Sequence, residues 1–404
     1  MGDFYQSGLV TTLHNLRSVD YTQLEEWMTD YAKKRPAALV IPSLYSELHK
    51  PALGNIVNIL KDVPYLNEII IGLDRANKDQ FEEAKEYFSV LPQRHRILWH
   101  DGPRLRKMDQ LLKDHQIAPN QMGKGRNAWY CFGYLIASER SEAIALHDAD
   151  ILTYDRGMLA RLLYPVVDPT FNYRFCKGYY FRSDAEKLNG RAARLLVTPL
   201  LRALKKVFGP LTFLDFLDSF RYPLAGEFSM RTDVLKTIRI PSDWGLEVGI
   251  LSEVERLNST NRICQVEIAD RYDHKHQPLS PDDASKGLSR MSMDITRAIY
   301  LKLSQNGIVF TRSMFRSIKS TYNRIALEFV ERYDNDATMN GLSYNRHKEE
   351  MMVDLFANNV YNAGIEILEQ PDHGAFIPSW KRIKSALPGY MEDYYQAVEK
   401  DNQV

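Results

Sequence analysis

A chain of 404 residues, 44% hydrophobic and 26% charged, can bury a sizeable core and carries no low-complexity tract of the kind that stays disordered. Its 52 Lys plus Arg balance 52 Asp plus Glu, which excludes a global attraction to nucleic acid or to an acidic membrane; an anionic partner has to be held by a local cluster. There is no apolar run of ~18 residues and no signal-peptide pattern, and Cys131, Cys176 and Cys264 lie far apart. A cytoplasmic chain with reduced thiols is expected, with neither a membrane nor a nucleic acid as partner.

Residues 1–36 read as an N-terminal helical segment. A helix is expected to open near Asp20, with Leu24, Trp27, Met28 and Tyr31 on one face, and to stop at Arg35-Pro36. Ala37–Ile41 reads as a buried strand followed by a loop at Pro42-Ser43-Leu44. A helical stretch through Ile56, Ile59 and Leu60 leads to a strand at Glu68–Ile71. A charged helix around Gln80–Tyr87 leads to another strand at Arg96–Trp99. A glycine turn at 123–125, a helix over Asn127–Glu139 and a strand at Ala143–His147 complete the series. This alternation over 37–150 predicts an α/β fold: a Rossmann-like, mostly parallel sheet with flanking helices, whose strand ends gather ligands on one edge. Residues 170–280 mix short strands (Phe175–Phe181, Cys264–Ile268) with helices and proline-bearing loops. Residues 291–404 read as a helical extension, with Phe315, Ile318, Tyr322, Ile325 and Phe329 at three-four spacing. Its last residues, 399–404, are expected to fray.

The strongest local signal is Ala143–His147 followed by Asp148-Ala149-Asp150, where an apolar strand delivers two carboxylates to its carboxyl end. Beside a diphosphate such a pair needs a hard cation between, and Mg²⁺ or Mn²⁺ takes oxygen ligands of this kind. The Pro42–Glu47 loop and Asp74 end earlier strands, where a nucleotide base and ribose would dock or a turn would simply form. Gly123-Lys124-Gly125 is too short for a Walker loop, but its glycines would let the backbone approach a ligand and Lys124 could meet a phosphate. Asn189-Gly190-Arg191, with Arg194 one turn on, suits an anion as well as a solvated helix start. Glu227 and Glu247 sit in glycine-bearing, mostly apolar stretches: either they accept from sugar hydroxyls, with Trp244 covering a pyranose face, or they hold loop N–H groups. His274 and His276 follow a strand, and an imidazole could complete a metal shell.

Taken in order from about Ala37 to Arg290, seven stretches resemble the retaining GT-A glycosyltransferase family that contains glucosyl-3-phosphoglycerate synthase. They are Val40–Leu44, Gly123–Gly125, His147–Asp150, Asn189–Leu201, Pro223–Arg231, Trp244–Gly249 and His274–Leu279. The resemblance implies a metal-dependent glucosyltransferase, with 37–150 as the nucleotide half and 151–290 as the sugar and acceptor half of one GT-A domain. It implies UDP-glucose held by Pro42, Ser43, Leu44, Glu47, Asp74, Lys124, Asp148, Ala149, Trp244 and Glu247, and Mg²⁺ or Mn²⁺ held by Asp150 and His274. It implies 3-phosphoglycerate at Gly190, Arg191 and His276, and Glu247, Lys124 and Arg191 at the chemistry. The route implied is front-face, a leaving phosphate oxygen taking the acceptor's proton. Trp244 stands where relatives carry tyrosine; Ala193 and His276 stand where they carry threonine and often asparagine, and these two leave the acceptor open. GDP-mannose as donor, glycerate or a sugar as acceptor, and a non-catalytic nucleotide-sugar sensor remain alternatives, and a homodimer is allowed for.

Overall fold

Aliphatic runs with no polar side make strands that must be covered on both faces. The computed structural model describes residues 6, 8–16, 21–119, 122–183, 186–270, 272–273, 287–370 and 376–403. Among these, eight strands form one sheet: β1 (Thr11–Leu13), β2 (Ala37–Leu44), β3 (Leu66–Asp74), β4 (Arg94–Trp99), β5 (Ala143–Leu146), β6 (Phe175–Tyr180), β7 (Phe228–Arg231) and β8 (Ile263–Ala269). Their order is β1-β8-β6-β7-β5-β2-β3-β4. All neighbours pair parallel except β7, which runs antiparallel to β5 and β6. Alternate residues feed two cores. Ala38, Val40, Ile70, Leu98, Ile144 and Leu146 face one layer of helices, while Leu39, Ile41, Ile69, Ile71, Ile97 and Ala145 face the other.

The alternation predicted over 37–150 is present, with two local differences there and one before it. Pro42-Ser43-Leu44 is not a loop: β2 runs on through Leu44 because Pro42, Ser43 and Leu44 stay in register with Gly72, Leu73 and Asp74 of β3. The segment 123–125 is no turn either; a helix spans Lys124–Ser138. Residues 11–13, read as part of a helical segment, add β1 beside β8. That strand is too short for its period to show in sequence. The helix at Tyr21–Lys34 agrees with the expectation, although Asp20 lies outside the described residues.

The extension forms helices at Gly287–Gln305, Arg312–Met339, Arg346–Glu369, Trp380–Ala386 and Tyr390–Asp401. The expected fraying at 399–403 is overturned. Glu399 pairs with Arg94 and Arg96 of β4 at 2.8 and 2.9 Å, and Asp401 pairs with Arg104 at 2.6 Å. Asn402 donates from Nδ2 to the Ile97 carbonyl and accepts from the Ile97 N–H, both at 2.9 Å. Its side-chain amide thus satisfies the open edge of β4, a place where unpaired backbone groups invite association. Polar terminal residues signal solvent in isolation; here they meet a sheet edge and its arginines. Farther in, Trp380 stacks on Trp129 with centroids 4.0 Å apart and bonds the Trp129 carbonyl, tying the extension to the helix that begins at Lys124. Among the described residues no helix is long and apolar enough to cross a membrane.

Candidate active site

The carboxyl end of β5 brings Asp148 and Asp150 beside the first residue of the Lys124–Ser138 helix. Lys124 Nζ lies 2.5 Å from Asp148 Oδ1 and 3.1 Å from Glu247 Oε1. Burial works against its charge, but Asp148 and Glu247 outweigh that and hold the ammonium above the ordinary lysine range. Gly226 permits this approach: a Cβ there would stand 2.5 Å from Asp148 Oδ2 and 2.9 Å from Lys124 Nζ. The glycines flanking Lys124 act differently from the expectation. A Cβ on Gly123 or Gly125 would strike the carbonyls of Ser242 and Pro241, at 2.7 and 2.0 Å. They let the helix start pack on the segment leading to Trp244 rather than open it to a ligand.

Beneath this triad lie groups whose charge the fold has to manage. Glu227 is fully buried and accepts from Tyr272 Oη at 2.5 Å and Tyr180 Oη at 2.7 Å, the two rings stacked 3.7 Å apart. Burial and the charge of Asp148 raise its pKa, against the pull of those hydroxyls. Its partners are side-chain hydroxyls, not the loop N–H groups that its sequence context suggested. Lys177 of β6 is also fully buried and has no hydrogen-bond partner among the described residues. Burial pushes it down to about 8, resisted by Glu247 and Glu227. His147 is uncharged at neutral pH, pushed down to about 3 by burial.

A cavity of about 370 Å³ joins these groups to the segment at 189–192. Lys124, Asp148, Trp244 and Glu247 line one part, and Asn189, Gly190 and Arg191 another. Arg191 does not stand alone: its Nε donates to Glu349 Oε1 at 2.6 Å. The β2 and β3 ends lie outside that cavity. Glu47 is buried and holds Lys50 at 2.6 Å. Asp74 accepts from Asn127 Nδ2 at 2.9 Å, leaving its Oδ1 without a partner among the described residues. The structure therefore gathers Lys124, Asp148, Trp244, Glu247, Gly190 and Arg191, and keeps Pro42, Ser43, Leu44, Glu47 and Asp74 on neighbouring strand ends. His274 and His276 lie outside the described residues.

No family model matches the chain. Two relatives match it from end to end. The glucosyl-3-phosphoglycerate synthase of Persephonella marina is 41% identical over 402 residues, covering 100% of this chain and 99% of the relative. That of Methanococcoides burtonii is 40% identical over 403 residues, covering 99% and 98%. The chain belongs to the glucosyl-3-phosphoglycerate synthase family. A crystal structure of the Mycobacterium tuberculosis glucosyl-3-phosphoglycerate synthase with Mn²⁺, UDP-glucose and phosphoglyceric acid matches with a TM-score of 0.54 at 20% identity. The match spans 75% of this chain and 89% of that one. It bears on architecture: this is the GT-A fold, with a helical C-terminal region.

A divalent ion in this synthase family member fits the donor set at the end of β5. Asp150 is pushed up to about 7, first by burial and then by Asp148, with Glu47 and Glu227 adding to the crowding and only Lys124 opposing it. Five carboxylates, Asp148, Asp150, Glu47, Glu227 and Glu247, therefore share the field of three ammonium groups, Lys124, Lys177 and the Lys50 that pairs with Glu47. Oxygen ligands with surplus negative charge suit Mg²⁺ or Mn²⁺. The described residues contain no group of three metal-ligand side chains. Asp273, the residue before His274, docks on the segment that follows the acidic pair: its carbonyl accepts from the Leu152 N–H at 2.9 Å, and its own N–H donates to Thr153 Oγ1 at 3.2 Å.

Sequence reasoning missed Lys177 and Glu349. The first had a signal, a charged residue inside the otherwise apolar Phe175–Tyr180 strand. The second had none, being one charge within Arg346-His347-Lys348-Glu349-Glu350.

Proposed function

We propose that this chain transfers glucose from UDP-glucose to the 2-hydroxyl of 3-phospho-D-glycerate with retention of configuration, giving glucosyl-3-phosphoglycerate. One observation carries the reading: Lys124, Asp148 and Glu247 share a single cavity with Gly190 and Arg191, so one space can hold a donor diphosphate and an anionic acceptor together. Holding both reactants there removes the cost of a bimolecular encounter.

Asp150 and His274 would hold a divalent ion, which when bound supplies Lewis-acid stabilisation to the departing diphosphate. Lys124, kept cationic by Asp148 and Glu247, donates to the phosphate oxygens as their charge grows. Glu247 Oε1 is taken by Lys124, and the other oxygen accepts from glucose hydroxyls while Trp244 covers the ring. The ends of β2 and β3 hold the uridine, with the buried Asp74 Oδ1, which has no partner among the described residues, as the acceptor for a base N–H. Arg191 carries the acceptor's anionic groups. Glu227 gives both oxygens to Tyr180 and Tyr272, so it is not presented to the anomeric carbon. That supports a front-face route in which a leaving phosphate oxygen takes the acceptor's proton. The chain would work in the cytoplasm, without nucleic acid or membrane as partner.

The test is nucleotide release measured over a panel of UDP-glucose and GDP-mannose against 3-phosphoglycerate, glycerate and glucose, with Mg²⁺ or Mn²⁺. Turnover should be fastest with UDP-glucose and 3-phosphoglycerate. Faster release with GDP-mannose, or equal release with glycerate, would reassign donor or acceptor. Tight UDP-glucose binding with no turnover on any acceptor would favour a sensor.

A further inference from the structure

Glu349 stands near the start of the Arg346–Glu369 helix, more than 150 positions beyond the acceptor segment, yet its carboxylate is buried against that segment. Its Oε1 accepts from Arg191 Nε at 2.6 Å and its Oε2 from Arg194 Nη2 at 3.0 Å. One carboxylate thus bridges two guanidiniums a helical turn apart. Arg194 is nearly enclosed: its Nε donates to the Asn189 carbonyl at 2.7 Å and its guanidinium lies 4.7 Å from the Tyr333 ring centroid. Arg191 is a third exposed and faces the cavity. Two neighbouring contacts fix the same segment from the same side. Tyr322 Oη donates to the Leu195 carbonyl at 2.6 Å, and the Ser343 N–H donates to the Glu186 carbonyl at 2.7 Å.

We infer that Glu349 is a positioning residue for the acceptor. It holds Arg191 by its Nε edge, so that the two Nη groups are left for an anion. This role rests on Arg191 being a ligand of the acceptor. A guanidinium is a planar fork, and fixing one edge fixes the plane in which the other donors lie. Charge acts in the opposite sense: Glu349 offsets part of the positive field that Arg191, Arg182 and Lys187 present to the cavity, so a weaker hold on the acceptor after its neutralisation reports lost positioning and not lost attraction. Without Glu349 the guanidiniums repel at short range and Arg191 has no reason to keep its plane.

The experiment compares Glu349→Gln, Glu349→Asp and Arg191→Ala in the full chain, with KM for 3-phosphoglycerate, KM for UDP-glucose and kcat measured separately. Glu349→Gln should raise the acceptor KM about tenfold, with the donor KM and kcat within about twofold. A glutamine oxygen can serve one guanidinium, while its amide group opposes the other. Glu349→Asp keeps the charge but has a shorter reach, and should restore part of the loss. Its few-fold rise also serves as the readout if the glutamine variant fails to fold. An acceptor KM unchanged in folded Glu349→Gln, or in Glu349→Asp where the glutamine variant fails to fold, with Arg191→Ala still raising it, would overturn the role of Glu349 alone. An unchanged acceptor KM in Arg191→Ala would overturn the acceptor reading and this inference with it. A loss confined to thermal stability would also overturn it, leaving Glu349 a structural ion pair.

Discussion

The strand ends and the helical extension frame the candidate site by different means. On β2, β3, β4 and β5 the candidate residues sit where strands end: Asp148 and Asp150 follow β5, and Asp74 closes β3, outside the cavity that Asp148 lines. The extension contributes hold rather than chemistry. Trp380 braces the helix that starts at Lys124, Glu349 bridges Arg191 and Arg194, and Glu399 and Asn402 close the β4 edge. A strand end is an address that local pattern can read, whereas a long-range brace is visible only from its partner.

If that contrast is right, damage to the first region should remove turnover and spare the fold. The largest effect is expected for Asp150→Ala. Turnover supported by Mg²⁺ or Mn²⁺ should fall by about 10³ or more, while the unfolding midpoint should not drop. Burial and Asp148 already disfavour the Asp150 carboxylate, so removing it relieves crowding. Steady-state kinetics with calorimetry on the same sample decides; a variant that keeps wild-type turnover would end the metal assignment.

Damage to the second region should show the reverse. Trp380→Ala removes a buried ring stacked on Trp129 and a hydrogen bond to its carbonyl, which should cost about 3–5 kcal/mol. Denaturant unfolding should show the loss, and the fraction that remains folded should keep a measurable kcat. Equal loss of kcat and no loss of stability would place Trp380 in the first region instead.

The same division explains what the sequence did and did not reveal. Asp148, Lys124, Glu247 and Arg191, which the structure brings to one cavity, stand out in sequence because apolar strands and glycine-bearing stretches frame them. The glycines around Lys124 were misread in purpose, since packing on Pro241 and Ser242 leaves the same mark as approach to a ligand. β7 escaped notice because Phe228–Arg231 is four residues long and its register comes from β5 and β6. Residues 399–403 were read as loose because polarity suggests water until a sheet edge is there to accept it.

A smaller effect, and one with a pH signature, is expected at Glu399. Despite partial burial, its bonds to Arg96 and Tyr134 and the charge of Arg94 pull its carboxyl down to about 2. An unfolded glutamate titrates near about 4.3. The folded pKa is the lower one, so the ion pairs stabilise in full above about 4.3 and progressively less as pH falls through about 2. Glu399→Gln should therefore be less stable than the wild type by about 1–2 kcal/mol at pH 7, allowing for solvent screening at this edge. The gap should narrow steadily below about pH 4.3.

The smallest effect should come from Asn402→Ala. It deletes two hydrogen bonds to Ile97, one in each direction, from a side chain that stands in for a neighbouring strand. Each bond contributes about 0.5–1.5 kcal/mol net, and water can replace part of it at an exposed edge. A stability loss of about 1 kcal/mol is the expectation, with turnover unchanged. The more telling readout is concentration dependence. An uncapped β4 offers the N–H and carbonyl of Ile97 to another chain, so light scattering on warming should rise earlier for Asn402→Ala than for Glu399→Gln. The latter removes charge but leaves the cap. If the two variants scatter alike, Asn402 is one more brace for the terminal helix and the edge is covered by something else.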